Sequence, residues 1–150
     1  MNPDKVSVLI IGAGAVGSYF GGSLLAQGHS VSFYDRPETA KRFLEHGLLL
    51  TRPGMEPYRI ESPDISADMA EILRNKRFDF ALFSVKSYDT EDIARHLGMY
   101  QPDLPPILCL QNGVENEDRL KGILSRTAIY AGSVTTAIGR RGANEIVVEK

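Results

Sequence analysis

The segment Gly12-Ala13-Gly14-Ala15-Val16-Gly17 follows directly on the apolar run Val6-Ser7-Val8-Leu9-Ile10-Ile11. Alone, a G-x-G-x-x-G hexapeptide says little. Behind a strand of buried type and ahead of an amphipathic helix, it has the context of a turn that binds a dinucleotide. Each glycine then has a physical task. Gly12 permits the tight turn out of the strand, Gly14 lets the backbone approach a pyrophosphate, and Gly17 lets the helix pack close to the sheet. Ala13, Ala15 and Val16 lie between them in the same cradle. The pyrophosphate would rest on the unpaired N–H groups and the positive dipole end of the helix.

Three other strand ends carry polar residues toward the same edge, because ligands of such sheets lie outside the carboxyl ends of the strands. The second strand ends in Asp35-Arg36. A carboxylate there accepts hydrogen bonds from a ribose 2′-OH and selects NAD(H), whereas an arginine clamps the 2′-phosphate of NADP(H). Both residues are present, so these two alone leave the cofactor open. Lys86 follows the apolar run ending Phe83-Ser84-Val85, where it would reach the cofactor's ribose or the substrate. Gln111-Asn112-Gly113 ends another such run, and the Asn112 amide can both donate to and accept from a carboxamide or hydroxyl. His29, His46 and His96 are too scattered for a metal cluster, and no metal site is expected. Glu115, Glu117 and Asp118 read as the acidic start of a helix rather than as acid–base catalysts.

Apolar runs that alternate with helical patterns must position these residues. The sequence predicts an α/β domain of the Rossmann type: a doubly wound, mostly parallel sheet with helices on both faces and a short antiparallel extension. Strands are expected at Val6 to Ile11, Val31 to Tyr34, Phe78 to Val85, Ile107 to Leu110 and Ala128 to Ala137. Helices are expected at Ala15 to Gln27, with Val16, Phe20 and Leu24 on one apolar face and Gly17 and Gly21 near it to allow close approach to the sheet, and at Thr39 to His46, Glu91 to Met99 and Glu115 to Leu124. A short helix from Ser66 to Arg74 would be capped by Ser66 and buried through Met69, Ile72 and Leu73. Leu48 to Thr51 and Tyr58 to Ile60 read as an antiparallel pair about the turn at Arg52-Pro53-Gly54. A turn at Gly139 to Gly142 leads into a last strand, Glu145 to Glu149. The chain stops within that strand, as an excised cofactor domain would.

At 150 residues with 43% hydrophobic and 24% charged residues, the chain has the size and balance of one globular domain. Its net charge of -2, with no block of either sign, argues against nucleic acid or an anionic membrane as partner. The lone Cys109 sits in an apolar run and reads as a buried thiol, consistent with a reducing, cytoplasmic setting.

Taken together, the Gly-Ala-Gly-Ala-Val-Gly turn, Arg36, Val85-Lys86 and Gln111-Asn112-Gly113 resemble the ketopantoate reductase (2-dehydropantoate 2-reductase) family. Gly47-Leu48-Leu49-Leu50 and the late segment from Gly132 to Gly142 are similar to it as well. The resemblance spans essentially the whole chain. It implies that Gly12 to Gly17 binds the pyrophosphate and Arg36 the 2′-phosphate of NADPH. Lys86 would line the cleft near ribose and substrate, Asn112 would hold the nicotinamide side and touch the substrate, and the backbone at Ile138 and Gly139 would complete the nicotinamide pocket. Lys86 and Asn112 are thus the expected catalytic residues of this chain. The implied reaction reduces ketopantoate, a small 2-keto acid, to pantoate on the route to pantothenate and coenzyme A.

The family's proton donor and substrate-gripping residues belong to a helical second domain of the same protein, expected beyond Lys150. This chain alone is therefore expected to bind nucleotide without turnover. A homodimer is compatible with such a chain, and the sequence does not fix the oligomeric state. Asp35 departs from the family pattern and keeps NAD(H) open. Two alternatives stand beside this reading: a related two-domain dehydrogenase of another keto or hydroxy acid, and a non-catalytic NAD(H)-sensing module.

Overall fold

The computed structural model of the chain describes residues 4–111 and 115–149. A six-stranded parallel sheet runs in the order β5 (Ile65–Ser66), β2 (Ser30–Tyr34), β1 (Ser7–Ile11), β6 (Phe80–Phe83), β7 (Ile107–Cys109), β8 (Ile129–Ala131). The central strand β1 is nearly all apolar, as a strand covered on both faces must be. Its side chains alternate between two cores. Val8 and Ile10 enter one with Phe33, Phe43 and Leu82, while Leu9 and Ile11 enter the other with Met69, Phe83, Leu97 and Leu120. The strand order reverses between β1 and β6, which makes that junction the switch point where such sheets take ligands.

Helix α1 (Ala15–Ala26) differs in part from expectation. Val16, Phe20 and Leu24 pack against the core but are only partly buried, and the fully buried positions are Gly17 and Gly21, as expected, together with Ser18 and Gly22. The reason is that α1 is covered on two sides. A Cβ at Gly21 would come within 2.5 Å of the Phe33 ring on the parallel sheet, and one at Gly22 would contact Leu48, Leu50 and Ile60 on a second sheet. Small residues let both sheets approach, and the large apolar side chains fill the flanks between them.

The second sheet is more than the expected antiparallel extension. Its order is β4 (Tyr58–Ile60), β3 (Leu48–Thr51), β10 (Glu145–Val148), β9 (Ile138–Arg141). The β3–β4 and β9–β10 pairs are antiparallel hairpins. Between them β10 pairs in parallel with β3 across almost a hundred residues, Ile146 opposite Leu50, and this long-range pairing has no local signature. Gly139 therefore lies inside a strand opposite Val147, and the reversal is made by Gly142 at φ 63°.

Other boundaries shift for local reasons. Helix α2 (Pro37–His46) starts at its proline, which supplies a fixed φ and needs no N–H there. Helix α3 (Met69–Arg74) is capped by Asp68, whose carboxylate accepts from the Ala70 and Glu71 N–H groups. Ser66, the expected cap, ends β5 instead; its hydroxyl accepts from the Asp68 N–H and donates to Glu71. Met69, Ile72 and Leu73 are buried as expected. Helices α4 (Thr90–Gly98) and α5 (Asn116–Ile123) cover the same face as α3. Strand β8 ends at Ala131, short of the expected Ala137, because the following segment crosses to the other core through Val134 and Ile138.

Candidate functional site

A cleft of about 410 Å³ opens where the carboxyl ends of β1, β2 and β6 meet. Gly12 and Gly14 form one wall, Asp35, Arg36 and Arg42 another, and Ser84 to Lys86 a third. The three motif glycines are required for different reasons. Gly12 has φ 98°, and a Cβ there would meet the Val85 nitrogen at 2.8 Å. Ser84 fastens this approach by donating from its hydroxyl to the Gly12 carbonyl at 2.9 Å. A Cβ at Gly17 would fall onto the Gly12 carbonyl oxygen, so this glycine closes the turn against the helix. Gly14 has ordinary φ −75°, and nothing lies within 4 Å of where its Cβ would be. Packing among the described residues gives no reason for a glycine there.

Gly14 is also the N-cap of α1. No side chain caps that end, and its first turn holds no acidic residue. Its free N–H groups and dipole therefore face the cleft beside an open backbone surface, which is the arrangement an anion needs. Ala13, Ala15, Val16 and Gly17 complete the turn and the first helical turn. The Ala13 N–H is already committed to the Asp35 carboxylate at 2.5 Å.

The far wall carries the charges. Asp35 caps its own neighbourhood, accepting from Ala13 N–H with one oxygen and from Arg36 N–H with the other, at 2.6 Å. Arg36 bends across to Asp89, Nη2 to Oδ1 at 2.7 Å. Two more arginines line the cleft: Arg42 from α2 and Arg140 from β9 of the second sheet. Burial, reinforced by Arg140 and opposed by Asp35, holds the Arg42 guanidinium below its ordinary value. The buried Arg42 Nε has no hydrogen-bond partner among the described residues. Neither Arg42 nor Arg140 carries a local sequence signal for this cleft. Arg140 owes its place to the β3–β10 pairing, and Arg42 to the start of α2 at Pro37.

Lys86 is exposed at the rim of the cleft, immediately after β6 and at the start of a 3-10 turn, Ser87–Asp89. Gln111 braces this end of the sheet. Its amide donates to the Val85 carbonyl and to the Thr90 hydroxyl, each at 2.7 Å, tying the end of β7 to the residues flanking Lys86. Asn112 lies outside the described residues, as does Gly113. Gly139 stands on β9 outside the lining of the cleft, which its neighbour Arg140 enters. Cys109 is buried, and its thiol is pushed up by burial, opposed by a hydrogen bond to Gln111 and reinforced by the charge of Glu117. Among the described residues no helix is long and apolar enough to cross a membrane.

A doubly wound α/β domain with an uncapped glycine turn at its switch point is the class that fold and cleft define. The chain belongs to the ketopantoate reductase PanE/ApbA family, whose model matches residues 8–150. It is 29% identical over 136 residues to 2-dehydropantoate 2-reductase of Lactococcus lactis subsp. lactis, covering 90% of this chain and 43% of that protein. The crystal structure of a PanE/ApbA family ketopantoate reductase from Ralstonia eutropha JMP134 superposes with a TM-score of 0.74 at 30% identity, over 96% of this chain and 46% of that one. A D-mandelate dehydrogenase solved with NADH and anilino(oxo)acetate superposes with a TM-score of 0.78 at 26% identity, over 96% and 46%. The chain thus spans under half the length of these relatives.

Proposed function

We propose that this chain is the cofactor-binding part of an NADPH-dependent 2-dehydropantoate 2-reductase, which reduces ketopantoate to pantoate for pantothenate and coenzyme A synthesis. Gly14 carries the reading. Its missing side chain serves no contact among the described residues, and it opens the uncapped end of α1 to a group that must approach the backbone closely. A pyrophosphate fits that requirement in charge and shape. Arg36, at the tip of β2, would face the adenosine 2′-phosphate.

The nicotinamide, when bound, supplies the hydride that reduces the 2-keto carbon. The chain's own residues orient the partners. The Lys86 ammonium, exposed beyond β6 and held in place through the Gln111 brace on Val85, would bind a ribose hydroxyl or the substrate carboxylate. Asn112, following Gln111 in the chain, would hold the nicotinamide side and touch the substrate through its amide. In this reading, proton delivery to the alkoxide and the rest of the substrate grip come from a second domain of the same protein. The chain alone then binds nucleotide but does not turn over ketopantoate.

A second reading is supported by Asp35 and by the D-mandelate dehydrogenase relative solved with NADH. It makes the cofactor NADH and the substrate another 2-keto acid. Titrating the chain with NADPH and NADH, then repeating with Arg36→Ala and Asp35→Ala, separates the two. Tighter NADPH binding that Arg36→Ala weakens supports the first; equal or better NADH binding hands the site to the second. Ketopantoate turnover by this chain alone would refute its role as the cofactor part only.

A further inference from the structure

The cleft is positively charged on a chain whose net charge is -2. Four cationic side chains, Arg36, Arg42, Lys86 and Arg140, line it against two carboxylates, Asp35 and Asp89. Both carboxylates are already engaged: Asp35 by the Ala13 and Arg36 N–H groups, Asp89 by the Arg36 guanidinium. Arg36, the residue that sequence position singles out for a phosphate, therefore already has an ion-pair partner, Asp89. Arg42 and Arg140 have no ion pair among the described residues, although they stand close enough to repel each other. The Arg42 Nε is in addition a buried donor without an acceptor. A buried donor left without an acceptor is unfavourable. Two like charges converging from α2 and the second sheet on one cavity wall add to that cost unless an anion joins them.

We propose that Arg42 and Arg140 form the principal grip on the 2′-phosphate of the cofactor, bridging α2 and the second sheet through one phosphate group, with Arg36 as an outer and weaker contact. This rests on the reading of the cleft as a dinucleotide site and deepens it. A phosphate dianion suits the pair because guanidinium groups present paired N–H donors to its oxygens. It would also give the Arg42 Nε the acceptor it lacks. Arg36, in contrast, must exchange Asp89 for the same group, and that exchange takes back part of what it gains.

Adenosine 2′,5′-bisphosphate and 5′-AMP probe the 2′-phosphate without nicotinamide or pyrophosphate. Their affinities for the chain are measured calorimetrically, with circular dichroism to verify folding of each variant. The unsubstituted chain should prefer the bisphosphate by tenfold or more. Arg42→Ala and Arg140→Ala should each reduce that preference about tenfold while leaving 5′-AMP binding within about twofold. Arg36→Ala should reduce it less. Because Arg42 is partly buried, Arg42→Gln provides the same test with its packing largely retained. If either arginine variant weakens both nucleotides equally, or neither moves the preference, the assignment to the 2′-phosphate is wrong while the nucleotide site stands. If the unsubstituted chain binds neither probe, nor NADPH and NADH, the dinucleotide reading itself falls and this assignment with it.

Discussion

The two walls of the cleft are made in opposite ways. The glycine wall is backbone: Gly12, Gly14 and Gly17 come from six consecutive residues, held by the Ser84 hydroxyl and the ends of β1 and β6. The arginine wall is side chain: Arg36, Arg42 and Arg140 come from a loop, a helix and a distant hairpin. The first wall has no charge and little freedom, and it can accept any group that binds to helix N–H donors. The second has charge and reach, and it can tell one phosphate ester from its unphosphorylated counterpart. Affinity for a dinucleotide and choice between dinucleotides are therefore separable in this molecule.

The largest effect should come from Gly12→Ala and Gly17→Ala, which strike the fold rather than the ligand. Alanine at Gly12 combines a positive φ with a backbone collision, and alanine at Gly17 meets the Gly12 carbonyl. Each should lower unfolding free energy by about 2–4 kcal/mol, read from urea denaturation. An unchanged midpoint would show that this wall is not the rigid element it is taken to be.

Gly14→Ala should behave differently. With open space around it, the substitution should cost no more than about 1 kcal/mol, chiefly from the poorer N-cap. Binding of NADPH and NADH should nevertheless weaken at least about tenfold for both, since the methyl group occupies the approach to the pyrophosphate. Equal stability with unaltered binding would remove the main support for a ligand at this turn.

On the arginine wall the effect is smaller and of opposite sign. Asp89→Asn removes the partner of Arg36. NADPH binding should tighten by about threefold and NADH binding should hardly change, because the pair is a surface ion pair worth about 0–1 kcal/mol. Fluorescence titration with both cofactors checks it. A gain for NADH as large as for NADPH would mean that Asp89 acts through general cleft charge and that the walls are not separable.

The same contrast explains what the amino-acid sequence discloses. The glycine turn, the apolar strands and the position of Lys86 are written in runs of ten residues or fewer, where strand alternation and turn chemistry act locally. The arginine wall is not. Arg42 enters the cleft because α2 begins at Pro37, and Arg140 enters it because β10 joins β3 from far along the chain. Helix α1 misleads in part for the same reason. Its Val16, Phe20 and Leu24, with Gly17 and Gly21 near them, suggest one apolar face, yet Gly22 is buried too, because a second sheet covers the side that would otherwise be wet. Asp68 replaces Ser66 as the cap of α3 because Ser66 is drawn into the edge strand β5 beside Tyr34, a pairing that capping preferences do not contain.

The smallest predicted effect concerns pH, and it falls on the structural side of the cleft alone. The arginines keep their charge throughout the range in which the protein is handled. Tyr34 lies where the two walls meet, and its phenol is raised above its ordinary 10.0, chiefly by burial, with Tyr100, Asp35 and Asp68 adding to it. Burial likewise raises Cys109 above its ordinary 9.0. For both groups the folded chain holds its proton to higher pH than the unfolded chain does. Stability is then fully present below the ordinary values and declines as pH rises through and above them, because the unfolded state alone gains the ionised form. Urea midpoints should therefore begin to fall above pH 9 through Cys109 and fall further above pH 10 through Tyr34. Tyr34→Phe should flatten the part of that fall above pH 10, with the remainder carried by Cys109. A slope that Tyr34→Phe leaves unaltered would place the alkaline sensitivity elsewhere and leave the junction of the walls without a titrating group.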